Sequence, residues 1–436
     1  MMKAHQKWQL KNLFQQIWVR VTLFSLLGVV TALCGLWFDH YVPKDWADVV
    51  GADAVDTILN ILASSLLAVT TFSLSTMIGA FGSASTSATP RATQLLIKDQ
   101  TTQNVLSSFV GAFVFSIVGI ITIQAGVYGF RGKIVIFAVT LAVVAFVVFT
   151  LLRWINHLMT FGRLVETTQR VEDVVALALT QQAEKPCYGA QCLEPNWQPP
   201  AQAKPVYSPK NGYVQYIDVH ALSLLCTEPG QAIYCVVQPG HFVTTATVIA
   251  YSLGFEEDFS QRIDDAFALD VDRSFEQDPR FGLCTLSEIA SRALSPAVND
   301  PGTAIEVISR GTRLLANFVV QREQEIETRE AAAKEGTQTT ASALQGVYIG
   351  QATDEEMFDD FFTPIARDGA SLIEVMLVLL NALEQLALVS PQHYAPLVRQ
   401  HVDWVMQRAE EQMQLPYDKE RLSKKVRAIH AVLMGV

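Results

Sequence analysis

The chain has 436 residues, half of them hydrophobic, and its 43 acidic and 32 basic side chains give a formal charge of −11. This acidic balance argues against nucleic-acid binding, because such proteins need a basic face that displaces counterions from phosphates. Apolar residues are concentrated in the first third of the chain. We therefore interpret the chain as a membrane domain followed by a water-soluble region.

Four apolar stretches in the first third are each near the length that crosses a bilayer. They cover 17–38, 58–81, 105–127 and 134–152. Basic residues precede the first stretch and follow the second and the fourth, whereas the loop after the first stretch is acidic. The positive-inside rule then predicts a multi-pass protein of the inner (plasma) membrane with both termini in the cytoplasm and lipid as a partner.

The second stretch is rich in hydroxyls and small side chains up to Pro90. At 100° per residue, one narrow face of this helix carries Ser64, Ala68, Thr71, Ser75, Gly79 and Gly82. Such a face either lets another helix approach closely or lines a passage with neutral hydrogen-bonding groups. Four helices cannot easily enclose a pore alone, so the passage requires a homo-oligomer. Its candidate lining residues are Ser64, Thr71, Ser75, Gly79 and Gly82.

The third stretch has a small face of its own, formed by Gly111 together with Ser108, Ala112 and Ser116 at intervals of four residues. Small residues at this spacing allow close helix contact. We expect the second stretch to be the partner of this face.

The predicted fold is an α-helical integral membrane protein with four transmembrane helices and a mixed α/β cytosolic region. The expected parts are a transmembrane domain (1–165), a helical exit with a proline-rich linker (166–210), a small β-rich module (211–255), a helical segment (256–321), a flexible link (322–345) and a C-terminal helical bundle (346–436).

Several local patterns in the soluble region predict element boundaries. A strand over 212–217 is followed by Asp218, a plausible N-cap. Thr353 and Glu356 have the spacing of a capping box. The apolar run 371–389 is long enough to span a membrane, but Glu374 and Glu384 indicate a buried helix of a soluble domain instead.

The six cysteines form neither a disulfide framework nor a four-ligand zinc spacing, so we expect free thiols in a reducing cytosol. They are Cys34, Cys187, Cys192, Cys226, Cys235 and Cys284. The chain has no Walker loop, no Gly-x-Ser-x-Gly and no His-Glu-x-x-His pattern. We therefore predict that the protein is not an enzyme and that it needs no metal and no cofactor.

A distinctive motif lies between Arg292 and Ala304. Its characteristic residues are Arg292, Ser295, Pro296, Asn299, Asp300, Pro301 and Thr303. With the four apolar stretches and the Thr89-Pro90-Arg91 exit of the second, the chain resembles a widespread bacterial membrane family catalogued as domain of unknown function 2254. The resemblance implies four spans and a large cytosolic region, and it brings no activity with it.

Capping explains most of this motif, with Asp300 as the N-cap of a helix and Pro301 at its first position. Capping does not require Arg292 or Asn299, so a polar site built from Arg292, Asn299 and Asp300 is the alternative hypothesis. Two functions therefore remain open. One is a homo-oligomeric, channel-like protein for an unknown ion or small ligand, and the other is a membrane-anchored sensor or scaffold that binds a ligand or protein through its cytosolic region.

Overall fold

A computed structural model describes residues 16–37, 52–127, 132–194, 196–255, 259–334 and 344–435. The chain divides into two compact units. The apolar unit consists of 9–86 and 90–167, and the α/β unit consists chiefly of 168–436 together with the short segment 87–89. Each unit has its own hydrophobic core.

The apolar unit is entirely helical over the described residues. Its helices are α1 (Ile17–Trp37), α2 (Ala52–Ser87), α3 (Pro90–Ile97), α4 (Gln100–Gln124) and α5 (Gly132–Leu158). Within the part of the chain that is described, α2, α4 and α5 are long and apolar enough to cross a membrane, whereas the apolar part of α1 is shorter. Three of the four expected spans therefore meet this criterion, and the crossing by α1 stays a prediction.

Helices α1 and α4 touch backbone to backbone at a pair of glycines. A Cβ atom on Gly28 would lie 2.5 Å from the carbonyl oxygen of Gly111, and one on Gly111 would lie 2.8 Å from that of Phe24. Both positions therefore require glycine. The sequence predicted α2 as the partner of this face, and the structure bears this out in part. Ala112 lies in a buried cluster with Leu62 and Leu66 of α2, whereas Gly111 contacts α1.

Helix α2 packs in the apolar unit through its larger side chains. Its buried residues include Val55, Leu59, Leu62, Leu66, Ser73 and Met77. A polar contact on this face is the hydrogen bond of 2.9 Å that the Trp154 Nε1 atom of α5 donates to the Ser73 hydroxyl. Burying this face directs the small-residue face of α2 away from the unit.

The α/β unit begins with α6 (Leu164–Glu184), nearly all of which belongs to it, and continues into two sheets. The strands are β1 (Gln191–Cys192), β2 (Lys204–Tyr207), β3 (Gly212–Ile217), β4 (Ala232–Cys235), β5 (Phe242–Val243), β6 (Val248–Leu253), β7 (Phe267–Asp270) and β8 (Val347–Ile349). One sheet has the order β1-β8-β4-β6-β2 and the other β5-β3-β7. Strand β8 is parallel to both of its neighbours.

Helices complete the α/β unit. Two short ones lie among the strands, α7 (Val219–Ser223) and α8 (Ser260–Asp264), and six longer ones follow, α9 (Pro279–Ala293), α10 (Pro301–Lys334), α11 (Asp354–Asp368), α12 (Ile373–Val389), α13 (Pro391–Gln412) and α14 (Pro416–Gly435). Fully buried rings of Phe318, Phe358, Phe361 and Tyr394 fill the centre of the helical part. The Tyr394 hydroxyl donates to the Leu315 carbonyl at 3.1 Å, which satisfies its buried polar group.

Several short-range predictions are confirmed. Strand β3 has the expected bounds, and Asp218 caps α7 by accepting a hydrogen bond from the backbone N–H of Ala221 at 2.8 Å. Thr353 and Glu356 form the expected capping box of α11. Helix α12 is largely buried within its unit, as predicted for a soluble helix.

The expected linkers differ from the structure. Within 166–210, strands β1 and β2 are the two edges of the five-stranded sheet rather than a free connection. Within 322–345, helix α10 continues to Lys334, and Arg322 forms an ion pair with Asp354 at 2.8 Å. The rest of that segment, 335–343, lies outside the described residues.

The prediction of free thiols is wrong for one pair, because Cys187 and Cys192 form a disulfide with a Cα–Cα distance of 5.4 Å. Backbone angles bring them together. Cys187 and Tyr188 both have positive φ, at 51° and 57°, and reverse the chain so that β1 returns beside the turn. Cys226, Cys235 and Cys284 are free.

Candidate functional site

The small-residue face of α2 is exposed along its length. Ser64, Thr71, Ser75, Gly79 and Gly82 are all exposed. A Cβ atom added to Gly79 or Gly82 would meet no atom within 4 Å in the structure. The five candidate passage-lining residues therefore lie together on one face, which no other described part of this chain covers.

Two hydroxyls of this face are bonded within their own helix. Ser64 Oγ donates to the Asn60 carbonyl at 2.9 Å, and Thr71 Oγ1 donates to the Leu67 carbonyl at 2.9 Å. Each hydroxyl oxygen keeps acceptor capacity for an outside donor. The face is therefore neutral, weakly polar and free of bulky side chains, which suits either a neighbouring helix or a passing solute.

The motif of the α/β unit forms a tight turn between α9 and α10. The Asn299 backbone N–H donates to the Ser295 carbonyl at 2.9 Å, and that of Asp300 donates to the Ala293 carbonyl at 2.8 Å. Asn299 has a φ of +51°, in the left-handed region that asparagine tolerates better than most residues. The positive φ at position 299 therefore explains why asparagine is found in this turn.

Asp300 caps α10. Its Oδ1 atom accepts a hydrogen bond from the Thr303 backbone N–H at 3.1 Å, and Oδ2 accepts one from the Thr303 hydroxyl at 2.6 Å. These bonds, the hydroxyl first, hold the pKa of Asp300 below its ordinary value. Arg292 lies half-buried at the end of α9, and Asn299 is exposed. The polar site proposed from Arg292, Asn299 and Asp300 stays a hypothesis, in which Asp300 already has a structural function.

We expect Asn299→Gly to preserve the turn, because glycine adopts positive φ freely, and Asn299→Ala to lower the free energy of unfolding by about 1 kcal/mol. Asp300→Ala removes an N-cap and should also cost about 1 kcal/mol. Hydrogen exchange of the first turn of α10 measures both effects. A loss of cellular function in Asn299→Gly, with exchange unchanged, would show instead that the Asn299 side chain serves a site.

Sequence reasoning missed a cluster of charges in the α/β unit. Glu172, buried on α6, accepts hydrogen bonds from Arg310 and Arg313, which lie three residues apart on α10. The pairing spans about 140 residues, so no local pattern indicates it. Among the described residues, no group of His, Cys, Asp and Glu side chains has an arrangement that could hold a metal ion.

Comparison with known proteins gives a family and no activity. The family model described as "Predicted membrane protein (DUF2254)" matches residues 15–385. The uncharacterized protein Mb1321c of Mycobacterium bovis and the uncharacterized protein Rv1290c of Mycobacterium tuberculosis are each 36% identical over 117 residues, which is 25% of this chain and 22% of each relative. The match thus spans about a fifth of the length of these curated relatives. No solved structure matches the chain.

Proposed function

The chain belongs to the DUF2254 family of predicted membrane proteins, and on that premise we propose that it is a homo-oligomeric, channel-like or transport-like protein of a bacterial inner membrane. The neutral face of α2 lines its passage, and the α/β unit regulates it from the cytoplasm. The permeant species is an ion or a small polar solute. We propose no catalytic activity and no cofactor.

One observation carries this proposal, which is that the small-residue face of α2 is exposed while the opposite face is buried. In a single copy within a bilayer, a face with Ser64, Thr71 and Ser75 would contact lipid tails and gain nothing from its hydroxyls. Large apolar side chains such as Phe72 and Ile78 occupy the neighbouring exposed positions, as expected for lipid contact. Further copies of the chain would give the hydroxyl face water or protein as its surroundings.

The proposed topology has four crossings and cytoplasmic termini. Helix α1 has 21 residues and is therefore about 30 Å long, enough to cross the hydrocarbon core. The basic flanks of the spans support the orientation. Two features argue the other way. Arg131 and Lys133 lie in the proposed second outer loop, and the Cys187–Cys192 disulfide is of a kind that is rare in reducing compartments.

A second candidate function comes from the motif turn of the α/β unit. Residues 296–299 are all exposed, and they include the large apolar side chain of Val298. An exposed turn of this kind, on a unit with its own core, suits a membrane-anchored sensor or scaffold that binds a ligand or protein without transport.

Ser75→Leu separates the two functions. If Ser75 lines a passage, the larger side chain should abolish ion flux in proteoliposomes and leave assembly intact. If Ser75 lies in a helix contact, overpacking of about 1–3 kcal/mol should weaken the oligomer. We expect loss of flux with normal assembly, measured by flux assay and by the mass of the detergent complex.

Ser65→Leu is the matched control, because Ser65 is also exposed but lies about 80° from Ser75 around the same helix. It should change neither flux nor assembly. Absence of flux from the unmodified protein under every gradient, together with dissociation of Ser75→Leu, would reject the channel and favour the sensor or scaffold.

A further inference from the structure

A polar cavity of about 510 Å³ lies at one end of the apolar unit, where α4 begins and α5 ends. Six polar side chains line it, and they are Thr101, Arg153, Asn156, His157, Thr160 and Arg163. Arg153, Asn156, Thr160 and Arg163 are exposed, so the cavity is open to its surroundings. No carboxylate is among its lining residues.

The two arginines give the cavity its charge. Across the described ranges, neither Arg153 nor Arg163 forms an ion pair. The neighbouring acid, Asp99, contacts the lining residue His157, because its Oδ2 atom lies 3.1 Å from His157 Nε2. The same oxygen accepts hydrogen bonds from the Thr102 backbone N–H at 2.7 Å and hydroxyl at 2.6 Å. The cavity lining therefore carries two guanidinium groups that are not paired with this carboxylate.

Neutral donors accompany these charges. Thr101 lies in the first turn of α4 and adds a hydroxyl, while the N-terminus of that helix is already capped by the Asp99 carboxylate. The Asn156 amide adds a further donor, whereas the Thr160 hydroxyl donates to the His157 carbonyl at 3.3 Å.

The position of the cavity along the spans corresponds to the headgroup layer of a bilayer. The cavity joins the ends of α4 and α5, both of which are candidate membrane spans. The end of an apolar span coincides with the headgroup layer of a bilayer. Anionic lipid headgroups are concentrated there, and basic pockets between spans bind them.

We propose that this cavity binds a phosphate-bearing anion, with Arg153 and Arg163 as its charged ligands and Asn156 and Thr101 as neutral donors. Arginine suits this chemistry because its planar fork bonds two phosphate oxygens at once. The phosphate can belong to an anionic lipid headgroup or to a free phosphate in solution. This site is independent of the passage proposed for α2.

The test titrates the purified full-length chain with phosphatidylglycerol, with phosphatidylcholine and with inorganic phosphate in detergent, and measures binding by native mass spectrometry and by thermal protection. We expect phosphatidylglycerol to bind and each of Arg153→Gln and Arg163→Gln to weaken it about tenfold. Protection by inorganic phosphate in place of the lipid would support the same site with a soluble ligand.

Lys133→Gln is the matched control, because it removes one positive charge from the opposite end of the same helix, and it should leave binding within about twofold. Asn156→Leu keeps the charge and should still weaken binding, which separates a built site from general attraction between charges. The proposal is overturned if the arginine variants bind as the unmodified chain does, or if Lys133→Gln weakens binding equally.

Discussion

Replacing Glu172 by alanine should lower the free energy of unfolding of the α/β unit by about 3–5 kcal/mol. The Glu172 side chain is only 6% exposed and bonds both Arg310 and Arg313. Arg310 is itself 12% exposed, so the substitution leaves a buried guanidinium without its main counter-charge. Residual bonds from Arg310 to Glu306 and Gln169 place the expected loss toward the lower end of the range. Hydrogen exchange of α6 and α10 in the full chain measures it.

Glu306→Ala is the matched control on the same arginine. The Glu306 side chain is 46% exposed and pairs with Arg310 one helical turn away, and exposed pairs of this kind contribute about 0.3–0.5 kcal/mol. Glu172→Gln should fall between the two, because it keeps the shape and one acceptor but loses the charge. Equal, small losses in Glu172→Ala and Glu306→Ala would contradict the importance of the buried carboxylate.

Features that depend on residues three or four apart could be predicted from the sequence. The cap at Asp218 and the capping box of Thr353 and Glu356 are of this kind, since both partners lie within one helical turn. The grouping of small residues on one face of α2 also follows from helical periodicity, because spacing alone places residues on a common face. The exposure of that face does not follow from spacing.

Features that join distant parts of the chain could not be predicted. Strand β8 enters the sheet between β1 and β4, more than 100 residues from either. The Glu172 carboxylate meets arginines from α10 in the same way. Periodicity identified the small face of α4 but not that Gly111 on it contacts α1 while Ala112 packs near α2, because this depends on how whole helices pack.

Glycines in the apolar unit show why exposure matters for function. At Gly111 the neighbouring helix is present and the backbones touch, whereas Gly79 and Gly82 have open space around them. The first arrangement is complete within one chain. The face of Gly79 and Gly82 has no such neighbour among the described residues. It becomes a close contact or a passage when another copy of the chain covers it, and the proposed function therefore requires an oligomer.

Acidification between pH 6.5 and pH 4 should destabilise the α/β unit through His401, a residue of α13 whose side chain is 4% exposed. Burial among the rings of Phe358, Phe362 and Trp404 lowers the pKa of His401 from 6.5 to about 4, although Asp359 at 3.5 Å raises it and Arg408 adds to the lowering.

The sign follows from which state takes up the proton first. Between the two pKa values the unfolded chain binds a proton at His401 and the folded chain does not. The free energy of unfolding therefore decreases as the pH is lowered through this interval, and above the interval His401 has no effect on it. Each pH unit in this interval costs about 1.4 kcal/mol of unfolding free energy, so the full loss is roughly 3 kcal/mol. His401→Phe keeps an aromatic ring in the cluster and removes the titration. Its thermal unfolding in detergent, followed from pH 7 to pH 4, should lose less stability than the native chain by that amount, and parallel losses in the two proteins would refute the role of His401.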